Sequence, residues 1–102
     1  RSQLYLPAPG GLIDNVFEIR VTNRSDQAAT YRIEAVGIIG ASILGEDAIT
    51  VLGGELFELG VRLRADPSNL PFPGTPVLFR AVAINHEAIY AEAESRFIRP
   101  AL

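Results

Sequence analysis

The chain has 102 residues, 48% of them apolar and 21% charged, which suits one domain with a thin core and is too apolar for a disordered segment. Twelve Asp and Glu against nine cationic residues leave a net charge of −3, which argues against a nucleic-acid binder, because phosphate recognition needs a basic face. No cysteine, no methionine and one histidine exclude a disulfide, a Cys-ligated zinc and an iron–sulfur cluster in these residues, and most routes to a transition-metal site.

All nine cations are arginine, and the chain opens Arg1-Ser2-Gln3 rather than with Met, which predicts a fragment of a longer protein. No apolar run approaches the roughly 20 residues that cross a bilayer. Nor is there a charged-then-apolar start resembling a signal peptide.

In chain order, Leu4–Leu6 reads as a short strand, cut off by Pro7-Ala8-Pro9-Gly10-Gly11. From Asn15 to Asn23 the pattern alternates: Phe17, Ile19 and Val21 share one face, and Glu18, Arg20 and Thr22 the other. Asn23-Arg24-Ser25-Asp26 is a polar turn, since short Asn, Ser and Asp side chains bond their own backbone. Tyr31, Ile33 and Ala35 alternate against Thr30, Arg32 and Glu34. A short strand at Ala41–Leu44 and another at Ile49–Leu52 follow. Gly53-Gly54 then predicts a hairpin into the strand that starts near Leu56. There Phe57, Leu59, Val61 and Leu63 oppose Glu58, Gly60, Arg62 and Arg64.

Asp66 to Pro76 holds Pro67, Pro71, Pro73 and Pro76, so it reads as an extended connection crossing from one sheet to the other. Val77–Ile84 and Ile89–Ile98 are the last two strands, separated by Asn85-His86-Glu87. His86–Glu94 is rich in Ala and Glu, with Asn85 as an N-cap, so helix competes with strand there; the β-rich context favours strand. Eight short strands at most, at regular spacing, predict an all-β sandwich or small barrel.

Residues for chemistry are sparse. His86, the single histidine, falls at a predicted hairpin tip and reads as a solvated turn residue. Glu92 and Glu94 share a strand face and could mimic paired carboxylates, but the outer face of an edge strand explains them better. The glycines of Gly37–Gly45 lack the lysine and spacing of a phosphate loop. Asn23-Arg24-Ser25 matches a glycosylation sequon, a frequent chance match. Asp14 with Asn15, and Glu46 with Asp47, are pairs rather than the oxygen cluster calcium needs. No catalytic, cofactor or metal residue is assigned. Leu70 and Phe72 in the proline-rich connection, and Ile38 and Ile39 in a glycine-flanked loop, are expected to plug the open end of the sandwich. The alternative is a patch for contact with a partner.

The order of these pieces resembles a known family. Leu4-Tyr5-Leu6 with Gly11-Leu12-Ile13-Asp14-Asn15, then Phe17-Glu18-Ile19-Arg20-Val21-Thr22-Asn23-Arg24-Ser25 and Tyr31-Arg32-Ile33-Glu34-Ala35-Val36-Gly37 carry the first half. Val61-Arg62-Leu63-Arg64-Ala65-Asp66-Pro67, Thr75-Pro76-Val77-Leu78-Phe79 and Glu94-Ser95-Arg96-Phe97-Ile98-Arg99-Pro100 carry the second. Over nearly its whole length the chain resembles the C-terminal immunoglobulin-like domain of FixG/CcoG-type cytochrome c oxidase accessory proteins. The resemblance implies a single immunoglobulin-like antiparallel β-sandwich of seven to eight strands, spanning residues 1–102. It implies a membrane-bound bacterial parent whose 4Fe-4S clusters lie outside this domain, with the domain itself on the periplasmic side. The parent would assist copper maturation of a haem–copper oxidase, with this domain a non-catalytic docking module for protein partners and its membrane link only in the parent. None of the cluster-ligating cysteines is present, so no redox residue carries over. A free-standing extracytoplasmic adhesion or ligand-binding sandwich is the rival reading.

Overall fold

The computed structural model describes residues 5–85 and 88–100. Among these residues the chain forms eight strands: β1 (Tyr5–Ala8), β2 (Leu12–Thr22), β3 (Ala29–Val36), β4 (Ser42–Leu44), β5 (Ala48–Val51), β6 (Leu56–Ala65), β7 (Gly74–Ala83) and β8 (Ala88–Ile98). Two antiparallel sheets result, with strand orders β1-β2-β6-β4 and β5-β3-β7-β8. The alternating residues explain why. Ile13, Phe17 and Val21 of β2 and Val61, Leu63 and Ala65 of β6 turn toward Tyr31 and Ile33 of β3, Val77, Phe79 and Ala81 of β7 and Phe97 of β8. The Phe17 ring sits 4.8 Å from Phe79 and 6.4 Å from Phe97, in tilted contacts worth about 0.5–1.5 kcal/mol each beyond area burial.

The outer faces carry the charged half of the alternation. Arg20 and Glu58 are cross-strand partners and form an ion pair at 2.9 Å. On the other sheet Arg32 meets Glu34 at 3.1 Å and Arg80 meets Glu92 at 2.9 Å. These pairs are solvated, so they contribute little to stability and mainly keep the faces soluble.

The hairpin expected at Gly53-Gly54 is absent. The turn instead carries the chain from β5 in one sheet to β6 in the other. Gly53 lies so close to the 23–28 turn that a Cβ there would come within 2.5 Å of the Asp26 carbonyl carbon, and Gly54 has a φ of 75°. Gly53 therefore serves backbone contact between loops and Gly54 a left-handed turn, and neither closes a ladder.

The predicted crossing after β6 is present, but the strand beyond it starts at Gly74 and includes Pro76. Pairing to β3 ends at Val36↔Leu78, so Pro76 pairs only with Arg96 of β8, and its missing N–H removes no ladder bond on the β3 side.

From Ala88 onward the segment whose composition also suited a helix is strand, paired with β7 along its length. Cross-strand pairing outweighs the helical preference of Ala and Glu here. One irregularity interrupts it: Ala81 pairs with Ala91 but Val82 pairs with Ile89, leaving residue 90 as a bulge. His86 and Glu87 lie outside the described residues.

The sheets are also joined by a polar contact on the flank where β2 and β8 approach each other. Asn15 of β2 is fully buried; its Nδ2 donates to the Ile98 carbonyl at 2.9 Å and its Oδ1 accepts from the Ile98 N–H at 2.8 Å.

Candidate docking surface

The residues that could bear chemistry are occupied structurally. Asp14 neighbours Asn15 in sequence but points out of the opposite face of β2, where it is nevertheless buried beneath two arginines from β6. Arg64 Nε donates to Oδ1 at 2.8 Å and its Nη2 to Oδ2 at 3.0 Å, while Arg62 Nε donates to Oδ2 at 2.8 Å. The hydrogen bonds and charge of Arg64, then those of Arg62, outweigh desolvation and hold the Asp14 carboxyl below the usual carboxylate range. Asp14 in turn raises the pKa of Arg64. A carboxylate held ionised and covered in this way is a clamp on strand register, not a proton acceptor in a cleft.

Asn23 is equally engaged. It is 1% exposed, its Nδ2 donates to the carbonyls of Gln27 (2.7 Å) and Val51 (2.9 Å), and its Oδ1 accepts from the Ser25 N–H and hydroxyl. The sequon reading fails on this geometry, because the Nδ2 that would carry the glycan is buried, with both of its hydrogens committed to backbone carbonyls. Glu92 pairs with Arg80, and the outer-face position expected for Glu92 and Glu94 holds, on an edge strand. Among the described residues no three His, Cys, Asp or Glu side chains gather as a metal site would require. Among them too, no helix is long and apolar enough to cross a membrane.

The loop apolars divide. Leu70 is 2% exposed and Ile38 8% exposed, so both plug the end of the core and neither is available to a partner. Phe72 and Ile39 do the opposite, at 59% and 81% exposed, which corrects the expectation that they fold under. Each buried residue anchors an exposed neighbour one or two positions away.

The two loops form one unit. Asn69 Nδ2 donates to the Ile39 carbonyl at 3.0 Å, which ties loop 37–41 to loop 66–73. Asp66 caps the short turn at Pro67–Asn69, accepting from the Ser68 N–H (3.0 Å) and hydroxyl (2.9 Å), bonds that lower the Asp66 pKa. Arg99, just past β8, reaches back so that its Nε donates to the Leu70 carbonyl at 2.7 Å. Nearby, an open groove of about 690 Å³ runs over the second sheet, lined among others by Val36, Pro76, Leu78, Glu94 and Arg96.

Of the four loop apolars, Leu70 and Ile38 lie inside and Phe72 and Ile39 outside, a division that the loop sequences do not carry. The roles of Asp14 and Asn15 depend on residues distant in sequence, Arg62 and Arg64 for one and Ile98 for the other. The signal available for Asn15 was a polar residue on the same strand face as Phe17, Ile19 and Val21.

The sequence matches a family model described as "IG-like fold at C-terminal of FixG, putative oxidoreductase" over residues 1–100. No curated protein matches it. Among solved structures it is similar to a FixG-related protein from Vibrio parahaemolyticus, at 28% identity and a TM-score of 0.79, covering 98% of this chain and 94% of that one. Two facing antiparallel sheets, the matched family and the shared backbone agree: the chain belongs to the FixG C-terminal family and is an immunoglobulin-like β-sandwich.

Proposed function

We propose that this domain is the non-catalytic, periplasmic docking module of a membrane-bound iron–sulfur protein that assists copper maturation of a haem–copper oxidase. The observation that carries docking is the loop tip. Phe72 and Ile39 are held out into solvent by loops whose other apolar residues, Leu70 and Ile38, are buried and whose backbones are bonded to one another through Asn69. Ordering a contact residue before binding lowers the entropic cost of association, and aromatic anchors carry a large share of interface energy. Membership of the FixG C-terminal family supports an oxidoreductase parent for this domain; the role in oxidase assembly is what the resemblance to the accessory proteins implies. The engagement of Asp14, Asn15 and Asn23 in structural bonds supports a module without a reaction of its own.

The test uses the full-length parent. Phe72→Asp with Ile39→Asp should lower haem–copper oxidase activity in membranes toward the level of a strain lacking the parent, with the domain still folded and the iron–sulfur content unchanged. Full oxidase activity in that variant would refute docking through this tip. A Ser68→Cys variant should react with a membrane-impermeant thiol reagent from the periplasmic side; labelling only from the cytoplasmic side would refute the location. Stoichiometric, tight Cu(I) binding by the isolated chain would refute the non-catalytic assignment.

A further inference from the structure

We infer that the free edge of β8 pairs with β8 of a second copy of this chain, antiparallel, about a two-fold axis at Ser95. β8 is the last strand of its sheet, with no neighbour beyond it among the described residues. Which of its backbone groups face outward follows from Asn15. The Ile98 N–H and carbonyl are bonded to Asn15 rather than to β7, whereas the Arg99 N–H turns the other way, to the Pro73 carbonyl at 3.0 Å. Backbone groups in a strand alternate in direction, and pairing with β7 is regular from Ala91 to Ile98. The N–H and carbonyl groups of Glu92, Glu94 and Arg96 therefore point outward, as an open template for another strand.

Both ends of this edge are blunted. The bulge at residue 90 bends one end, and the Asn15 carboxamide occupies the other. Only the middle stretch is open, and charge selects its register. Glu92 already has Arg80, but among the described residues Glu94 has no ion-pair partner, and Arg96 makes only a 3.2 Å bond to the Gly74 carbonyl. A two-fold axis at Ala93 would set Glu92 against Glu94, one at Glu94 would set that residue against itself, and one at Arg96 would do the same to the arginine. An axis at Ser95 sets Glu94 opposite Arg96 twice, in the positions where backbone bonds form. Opposite charges facing each other stabilise a strand pair and like charges destabilise it. Ser95 then meets Ser95 in the close, non-hydrogen-bonded position, where a small side chain fits. Ala91 and Ala93 face the opposing sheet yet are exposed, so the flank beside this edge is uncovered.

The chain has no cysteine, which makes the register directly testable. Under this pairing the two Ser95 Cα atoms stand about 4.5 Å apart, inside the roughly 4.4–6.8 Å range of disulfides. The two Ala93 Cα atoms are offset by about 13 Å. With oxidised glutathione, Ser95→Cys should give a covalent dimer on non-reducing gels, and Ala93→Cys should stay monomeric. Equal cross-linking of both would overturn the register. In sedimentation equilibrium, Glu94→Arg and Arg96→Glu should each weaken self-association by about tenfold or more, and the double swap should restore it. Circular dichroism checks that each variant is folded. A wild-type chain that stays monomeric at millimolar concentration, or a double swap that fails to restore association, would overturn the proposal and leave this edge to a foreign strand or to solvent.

Discussion

Asn15 and Ile98 are 83 residues apart in sequence, yet the side chain of one satisfies both backbone groups of the other. The carboxamide presents a donor and an acceptor side by side, as a peptide unit does. It thus stands in for a neighbouring strand at the edge of β8 while belonging to the opposite sheet. Asn15→Ala removes both bonds and leaves two part-buried backbone groups without partners, at a cost of about 1–3 kcal/mol. Denaturant unfolding should register that loss, and the Ile98 amide should exchange faster with solvent than in the parent chain.

Asp14 leads to a pH prediction. Its carboxyl pKa is lowered in the folded state below the reference value of 3.8. The stabilisation it brings is therefore complete above the unfolded value and is lost as pH falls through the lower, folded one. Asp14→Asn should cost about 1–3 kcal/mol at neutral pH, since Arg62 and Arg64 lose a buried acceptor. The two stability curves should converge as pH falls through the lowered, folded-state pKa of Asp14. A gap that stayed constant down to acid pH would refute the clamp.

Leu70 and Phe72 separate core from surface within three residues. Leu70→Ala should cost about 2–5 kcal/mol, the range for a buried leucine. Phe72→Asp should stay within about 0.5 kcal/mol of the parent, because the ring is largely in water. Thermal unfolding distinguishes them readily, at about 4–8 °C per kcal/mol in a domain near this size.

Two glycines should respond in opposite directions to alanine. At Gly53 a Cβ would come within 2.5 Å of backbone at Asp26, so Gly53→Ala should force the loops apart and destabilise by about 1–3 kcal/mol. At Gly60, on the outer face of β6, a Cβ meets nothing within 4 Å. Gly60→Ala should raise stability by about 0.4–1 kcal/mol by restricting the unfolded chain. Melting curves of the two variants, shifted to opposite sides of the parent, are the expected outcome.

The alternation at Phe17–Val21, Tyr31–Ala35 and Phe57–Leu63 determined by itself that this chain is a β protein with two-faced strands. The Asn23 turn was legible because its bonds to Ser25 and Gln27 lie within a few residues, whereas its bond to the Val51 carbonyl spans 28. Tertiary structure alone decided that β4 pairs with β6, that Gly53-Gly54 changes sheets, and that Leu70 is inside while Phe72 is outside. It alone decided that Asn15 would serve a strand near the other end of the chain. A side chain's direction along a strand follows from local geometry, which repeats every two residues. Which strand lies beside it depends on how two apolar faces close on each other, and in this chain those contacts join residues far apart in sequence.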